Sequence, residues 1–492
     1  MDLDPDPDPD LDPALDLHLG LDLAVVGGGP AAVALLDALA THPAPHSAPG
    51  TIRVFEPSPH LWRGRPYGPD LDVVRVNVPP GISSIRHGDT GHYADWLGER
   101  AGDHIDPLLG LPVIPRALYG EYLTHTAEKS VAALAEQGWA VEIVPARVTG
   151  AARHGFRLAL RTEDGRQYPA THIALCVGTA GPPDPYDLTG TPGYLADPYP
   201  LATALDHVPP QRDVTVLGSG LTAVDVVVAL ASRGHRGRIT LRSRTGVLPY
   251  VWQRPVARRP QHLTTERVAE LHAAHGTVTL DTLTGLLRAE LAERQGDFED
   301  LVAELRTTTT TDPAQRLRQQ LDAVDDPRIG RRVLQSAAHA VGPYAWRLLP
   351  EADRARLRHH LRTAAAVASP MVPVNASVLM RLLDAGQLTI VPGDVRRTLS
   401  TTPPRTVVNA VNPSPQAIPA GARSLITSLI GTGLGALHPA GGLLPADPRV
   451  HVVGDLAGGG SFIASSIPGI AVQASRTAHA LRTPHALRTP HS

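Results

Sequence analysis

Apolar and polar positions divide this chain into short, almost unbroken hydrophobic runs separated by glycine turns and amphipathic stretches. DLAVVG (22–27), TIRVFEP (51–57), WAVEIVP (139–145), HIALCVG (172–178) and DVTVLG (213–218) read as strands, as do RITLRSR (238–244), LTIVPG (388–393), TVVNAVN (406–412) and HVVGD (451–455). Several are continuously apolar, the pattern of parallel strands buried on both faces. Helical periodicity follows most of them, so the expected class is α/β with doubly wound sheets. Two stretches repeat one device: LDLAVVGGGPAAVALLDAL from Leu21 and DVTVLGSGLTAVDVVVAL from Asp213 each give a strand, a glycine turn and an apolar helix.

The alternation breaks between about 257 and 365, where TTERVAELHAAHG, TLTGLLRAELAERQ, FEDLVAELR and PEADRARLRHHLR are charged and helical in pattern. TTTTTDP at 307–313 reads as a loop within this insertion, and His359–His360 as part of a solvated arginine-rich face. The Asp/Pro/Leu alternation of 1–20 cannot bury enough apolar surface to fold alone, and the doubled HALRTP at 479–490 reads as a fraying tail. The resulting plan is two Rossmann-like dinucleotide-binding domains. A first occupies 21–210 and resumes at 412–478; a second occupies 211–256 and 366–411 around the helical insertion 257–365; tails lie at 1–20 and 479–492.

Charge and composition narrow the partners. A formal net charge of −3 gives no electrostatic case for nucleic acid or an anionic membrane. Lys129 is the only lysine, and Cys176 the only cysteine, so neither a disulfide framework nor a CxxC redox pair exists. No run approaches the ~18 apolar residues of a membrane-spanning helix, and the acidic N-terminus is unlike a signal peptide, so a soluble, cytoplasmic protein is expected. The histidines show no HExxH or Cys/His ligand spacing, and no metal site is expected.

The two glycine turns carry the chemistry. Gly27 permits the tight bend, Gly29 allows a pyrophosphate to approach the backbone, and Ala32 supplies the small third residue of GxGxxG. The helix opening at Pro30 and Ala31 offers its positive end to phosphate. The next strand ends in Glu56, placed to accept from a ribose diol; the loop HPAPHSAPG at 42–50 accounts for its long spacing from Gly27. The second turn has Gly218, Ser219, Gly220, Leu221 and Thr222 ahead of Ala223, but its following strand ends in Arg242, Ser243 and Arg244 instead of an acid. A carboxylate repels a 2′-phosphate whereas guanidinium binds it, so the first turn suits an unphosphorylated adenosine ribose, as in FAD or NAD, and the second suits NADP(H).

A third element, HVVGDLAGGGSFIASSIPGIAVQA from His451, is a strand, a glycine-rich loop and a small-residue helix. Residues 21–475 resemble the two-Rossmann FAD/NAD(P)-binding flavoproteins, in particular a branch carrying NVP, PRxxYGxYL and GxGLTAxD signatures. Here these are Asn77–Pro79, Pro115–Leu123 and Gly218–Asp225. The branch is distantly similar to flavin monooxygenases of the N-hydroxylating type. RTAAAVASPMVPVN at 362–375 departs from the aromatic- and arginine-rich stretch of many members, whereas Trp346–Leu348 are kept. The resemblance implies that Asp455 binds the flavin ribityl chain, that Ile467 and Pro468 lie at the helix end facing the ring, and that Val78, Val148 and Gly178 also border FAD.

Lone Cys176, in an apolar strand, argues against the disulfide and peroxide reductases that need a reactive thiol. The resemblance then implies an NADPH-dependent monooxygenase that uses molecular oxygen, through a flavin C4a-(hydro)peroxide, to hydroxylate a small amine or other nitrogen-bearing substrate. An NADPH-linked dehydrogenase or oxidase, and a non-catalytic FAD-binding scaffold, stay open as alternatives, as does homo-oligomerisation. Asn77, Pro79, Arg86 and His87 are expected near the ring, with Asn77, Arg86 and His87 as candidate catalytic residues; Arg116 either holds a substrate carboxylate or anchors its helix.

Overall fold

The computed structural model describes residues 21–482 except 43–48, 257–259, 294–295, 297, 360, 402–405, 415, 440 and 458–465. The tail at 1–20, residues 483–492 of the far tail, the glycine-rich loop 458–465 and the histidine pair at 359–360, as a face, lie outside what is described.

Two five-stranded parallel sheets share the same pattern around their central strand. In the first, Val450–Val452, His172–Leu175, Leu23–Val26, Thr51–Phe55 and Ala140–Val144 lie side by side in that sequence. In the second the order is Leu388–Pro392, Ile239–Ser243, Val214–Leu217, Val407–Asn409 and Tyr194–Leu195. Each central strand, Leu23–Val26 or Val214–Leu217, has its successor on one side and a much later strand on the other. That reversal opens a crevice at the carboxyl end of the central strand, where both glycine turns lie.

The helix Pro30–Thr41 is buried almost all round because it sits between its sheet and the helices Arg116–Glu136 and Ile467–Arg482. Leu35, Leu36 and Leu39 are nearly inaccessible there, each contributing about 1.5–3 kcal/mol by leaving water. Leu221–Ser232 repeats the arrangement over the second sheet, with Val224, Val226 and Val227 packed inward. Each of these apolar helices nevertheless buries one acid, Asp37 and Asp225. Among the described residues, no helix is long and apolar enough to cross a membrane.

Three features are absent from the sequence reading. Val148–His154, Arg157–Thr162 and Gln167–Ala170 form an antiparallel sheet, Gly435–Leu437 pairs with Leu443–Pro445, and Tyr194–Leu195 adds an edge strand. Tyr194–Leu195, Gly435–Leu437 and Leu443–Pro445 are two or three residues long, and the longer Val148–His154 and Arg157–Thr162 mix polar with apolar positions, so the hydrophobic signal is weak. The insertion is helical from Thr265 to Ala368. Its threonine-rich loop is the turn between helices Phe298–Thr307 and Pro313–Asp322, the second capped by Asp312 accepting from the Gln315 N–H at 2.9 Å.

Candidate active site

The first glycine turn is built for close approach. Gly27 has φ +102°, and a Cβ there would stand 2.3 Å from the Cys176 carbonyl oxygen. Its N–H donates to Phe55 O at 2.9 Å, fastening the turn to the neighbouring strand. A Cβ on Gly29 would come within 3.5 Å of Gly64 Cα, so two glycine backbones face each other beside the start of the Pro30 helix. The Trp62 N–H donates to Gly28 O at 2.6 Å, laying residues 60–68 across the turn. Pro30 takes the first helical position, Ala31 and Ala32 are buried, and a larger side chain at 32 would separate helix from sheet. Glu56 accepts from the Gly28 N–H and from the Ser58 N–H, both at 2.8 Å. Its carboxylate is thereby fixed, with lone pairs left to accept from ribose hydroxyls.

The late Gly454–Asp455 step meets this turn. Gly454 has φ +105°, and a Cβ there would lie 3.7 Å from that of Ala31; its N–H donates to Gln473 Oε1 at 2.7 Å. Asp455 Oδ1 is shielded from solvent and has no hydrogen-bond partner, and burial pushes the carboxyl up to about 6. An orphaned acceptor beside a glycine-lined helix start fits the hydroxyl-rich chain and pyrophosphate of FAD. Ile467 and Pro468 open the helix Ile467–Arg482, with Ser466 Oγ accepting from the Gly469 N–H at 3.2 Å. Gly178 is exposed with φ +72° just beyond the His172 strand, whereas the Val148 side chain is packed in the core between the first sheet and Leu425–Leu429. The Cys176 thiol is buried and pushed up to about 12, which keeps it protonated and inert.

The PRALYGEYL segment works as a clamp. On the helix Arg116–Glu136, Tyr119 Oη donates to Ser83 O at 2.8 Å and Tyr122 Oη accepts from the Ile85 N–H at 3.2 Å. A Cβ on Gly120 would stand 2.0 Å from Tyr67 O, so only glycine lets the 60–68 loop settle on the helix. At its N-terminus Arg116 reaches the other dinucleotide unit. Nη2 donates to Asp225 Oδ2 at 2.6 Å, Nη1 to Tyr199 Oη at 3.1 Å and Nε to Arg75 O at 3.0 Å; Tyr199 Oη also donates to Asp225. Burial opposes the Arg116 charge, but Asp225 and Tyr199 hold it protonated. Of the two roles expected for Arg116, the geometry is that of the anchor.

The candidate catalytic residues are not brought together. Asn77 is buried with Oδ1 unpartnered, and its carbonyl accepts from Trp252 Nε1 at 2.7 Å. Val78 follows it, half-buried. Arg86 instead forms a two-pronged ion pair with Asp37, Nε to Oδ2 at 3.1 Å and Nη2 to Oδ1 at 2.7 Å. It is a tie between its loop and the Pro30 helix, because a buried carboxylate needs a cation. His87 is exposed on the turn that follows. The expectation that Arg86 and His87 line a reaction centre with Asn77 has no support in these contacts.

In the second turn Gly218 has φ +121°, and a Cβ would stand 2.5 Å from Ala410 O. A Cβ on Gly220 would come within 3.3 Å of Asn412 Nδ2, and the Asn412 side chain accepts from Thr222 Oγ1 at 3.0 Å. Leu221 begins the helix. Ser219 Oγ donates to Val247 O at 2.8 Å and meets Ser243 Oγ at 2.9 Å, while Ser243 Oγ accepts from the Gly246 N–H. Both hydroxyls are thus occupied inside the fold, which leaves only main-chain groups of these serines for a dinucleotide. Arg242 leans on Thr398 Oγ1 at 3.4 Å, and Arg244 stands exposed at the strand tip.

Between the two units lies a cavity of about 490 Å³. The first unit supplies Pro79, Pro80, Ile82 and Leu97; Trp252 and Gln253 come from the stretch after Arg244; the insertion helix Gly330–Ala340 supplies Arg332, Gln335 and Ser336. Trp252, Gln253, Tyr199 and Gln335 escaped the sequence reading; Asp225 closes the GxGLTAxD signature there, but its pairing with Arg116 did not show.

Residues 24–180 match a family model described as FAD-NAD(P)-binding. No curated protein matches the sequence. Among solved structures, L-lysine 6-monooxygenase from Pseudomonas syringae superposes with a TM-score of 0.53 at 16% identity, over 94% of this chain and 99% of that one. Ornithine N-hydroxylase from Kutzneria sp. 744 does so with a TM-score of 0.50 at 14% identity, over the same shares. At such identities the likeness establishes the fold. With an FAD-NAD(P)-binding domain at residues 24–180, the chain has the fold of the two-dinucleotide-domain flavoproteins.

Proposed function

We propose that the protein is an FAD-containing, NADPH-dependent monooxygenase acting on a small nitrogen-bearing molecule. The observation that carries the reading is the second glycine turn, made like the first but followed by a strand whose tip carries exposed Arg244 instead of an acid. The two structural neighbours are by name a lysine 6-monooxygenase and an ornithine N-hydroxylase, which agrees with this reaction class. So does the inert, solitary Cys176, which leaves a reductase without its thiol pair.

Bound FAD would accept hydride and activate oxygen; the protein supplies position and exclusion of water. Glu56 would hold the adenosine ribose, Asp455 would meet the hydroxyl chain, and the main-chain N–H groups at the start of the Pro30 helix would face the pyrophosphate. Arg244 selects the phosphorylated nicotinamide dinucleotide. Trp252, tied to the Asn77 carbonyl, lines the cavity from the side of the second unit.

Anaerobic mixing with NADPH is expected to bleach the flavin much faster than mixing with NADH. Oxygen should then restore the spectrum in two phases, whereas a single-phase return with stoichiometric hydrogen peroxide would favour an oxidase. A yellow protein that NADPH does not bleach would sink the catalytic reading altogether. Arg244→Ala is expected to weaken NADPH binding by about tenfold or more while leaving NADH unchanged, since one charge-assisted contact is worth ~1.5–3 kcal/mol. The ratio of bleaching rates at limiting nucleotide checks it; equal loss for both nucleotides would remove Arg244 from the phosphate site.

A further inference from the structure

Tyr67 ends a short helical turn, Arg65–Tyr67, in the segment that crosses the first glycine turn. One side of that segment is fixed to the helix Arg116–Glu136. The Tyr67 carbonyl lies over Gly120, where a Cβ would stand 2.0 Å from it, and Arg63 Nε donates to Thr124 Oγ1 at 3.3 Å. The Tyr67 ring rests on that of Tyr119, with centroids 4.7 Å apart, and Tyr119 is itself set edge-on to Tyr93 at 4.8 Å. Tyr119 and Tyr93 are fully buried. They form a fixed platform that holds the Tyr67 ring in one place.

Both arms of the first site converge on this segment. Gly64, three residues before Tyr67, faces the helix start: a Cβ there would lie 3.2 Å from Pro30 Cδ and 3.4 Å from Gly29 Cα. Gly454, next to Asp455, faces Ala31 of the same helix start. The charges of Arg116 and Asp455 both act on the Tyr67 hydroxyl. Burial raises its pKa, Arg116 lowers it and Asp455 raises it again, with a rise as the net result. The phenol therefore stays protonated and serves as a donor.

This donor and the neighbouring acceptor are both unused. Tyr67 is half-buried, its hydroxyl makes no hydrogen bond among the described residues, and it is not sealed from solvent as that of Tyr93 is. Asp455 is half-buried too; its Oδ1 is shielded, whereas Oδ2 also lacks a partner among the described residues and stays open. A group that accepts and donates at once can satisfy both, and a hydroxyl does so. A phosphate oxygen only accepts, and Asp455 would repel it.

We infer that the Tyr67 hydroxyl touches FAD, donating to a hydroxyl of the ribityl chain that in turn donates to Asp455. Tyr67 is then a cofactor-binding residue supplied by the crossing segment and braced by the tyrosine platform. The inference rests on the FAD site at the first turn and not on the monooxygenase reading.

The test follows flavin release on dilution from the full, FAD-loaded chain, in the parent and in Tyr67→Phe. It is repeated with chains loaded with FAD analogues that each lack one ribityl hydroxyl. Tyr67→Phe keeps the ring on its platform and is expected to release FAD about five- to tenfold faster. With one of the analogues the two proteins should release flavin at the same rate, because the hydroxyl that Tyr67 bonds is gone. The parent should release that analogue faster than FAD. A general loosening of the fold cannot produce such selectivity. Equal release of FAD by the two proteins, or a penalty in Tyr67→Phe that persists with every analogue, overturns the inference. No step uses NADPH or oxygen, so failure of the monooxygenase reading would register separately, in flavin bleaching.

Discussion

Gly27→Ala should purify colourless, and Gly218→Ala yellow but unresponsive to NADPH. At Gly27 the added methyl would lie 2.3 Å from the Cys176 carbonyl, and at Gly218 2.5 Å from that of Ala410. Both carbonyls belong to main chain at the ends of buried strands, so neither can retreat. The backbone compounds the clash, since φ values of +102° and +121° cost a side-chain-bearing residue about 1–3 kcal/mol. The turn must therefore open, and with it the approach to the pyrophosphate. We expect affinity for the corresponding dinucleotide to fall by about a hundredfold or more, as a loss of ~2.7 kcal/mol implies. Flavin absorbance per chain after gel filtration reads the first variant, and the rate of anaerobic bleaching the second. Loss of flavin from Gly218→Ala with retention by Gly27→Ala would invert the assignment of the two turns.

Arg116→Ala should uncouple the two units. Asp225 is fully buried on the second-unit helix, and Arg116, only 15% exposed in its side chain, is its partner across the junction. Removing the guanidinium strands a buried carboxylate whose Oδ1 already lacks a partner, a loss of about 3–5 kcal/mol. Burial already raises the Asp225 carboxyl, and Arg116 is the chief opposing influence. The variant is expected to melt well below the parent and to slow hydride transfer from NADPH while keeping its flavin. Arg116→Met combined with Asp225→Leu should recover most of the stability, because an apolar pair leaves no charge stranded. Recovery of bleaching rate along with stability would make the ion pair mere glue; stability without rate would show that it sets the relative placement of the units.

The residues legible beforehand were those whose role is written in the backbone. Gly27, Gly29, Gly218 and Gly220 stand out by turn geometry and Glu56 by its place at a strand end, whereas Asp455 stands out only through the family resemblance. Arg86 was legible as a residue of interest but not in its use, because its partner Asp37 lies one helix away and 49 positions distant in sequence. Ser219 and Ser243 look like phosphate contacts in their motifs, yet their hydroxyls bond each other across 24 positions.

Sequence alone determined the doubled strand–turn–helix device, the parallel sheets and the division into two dinucleotide units, because these follow from short-range pattern and steric limits on the turns. Tertiary structure decided the rest. Whether Arg116 faces substrate or Asp225, and whether Trp252 stands free or donates to the Asn77 carbonyl, depends on which surfaces meet when the two units and the insertion pack. Such meetings join residues hundreds of positions apart, and no local periodicity encodes them.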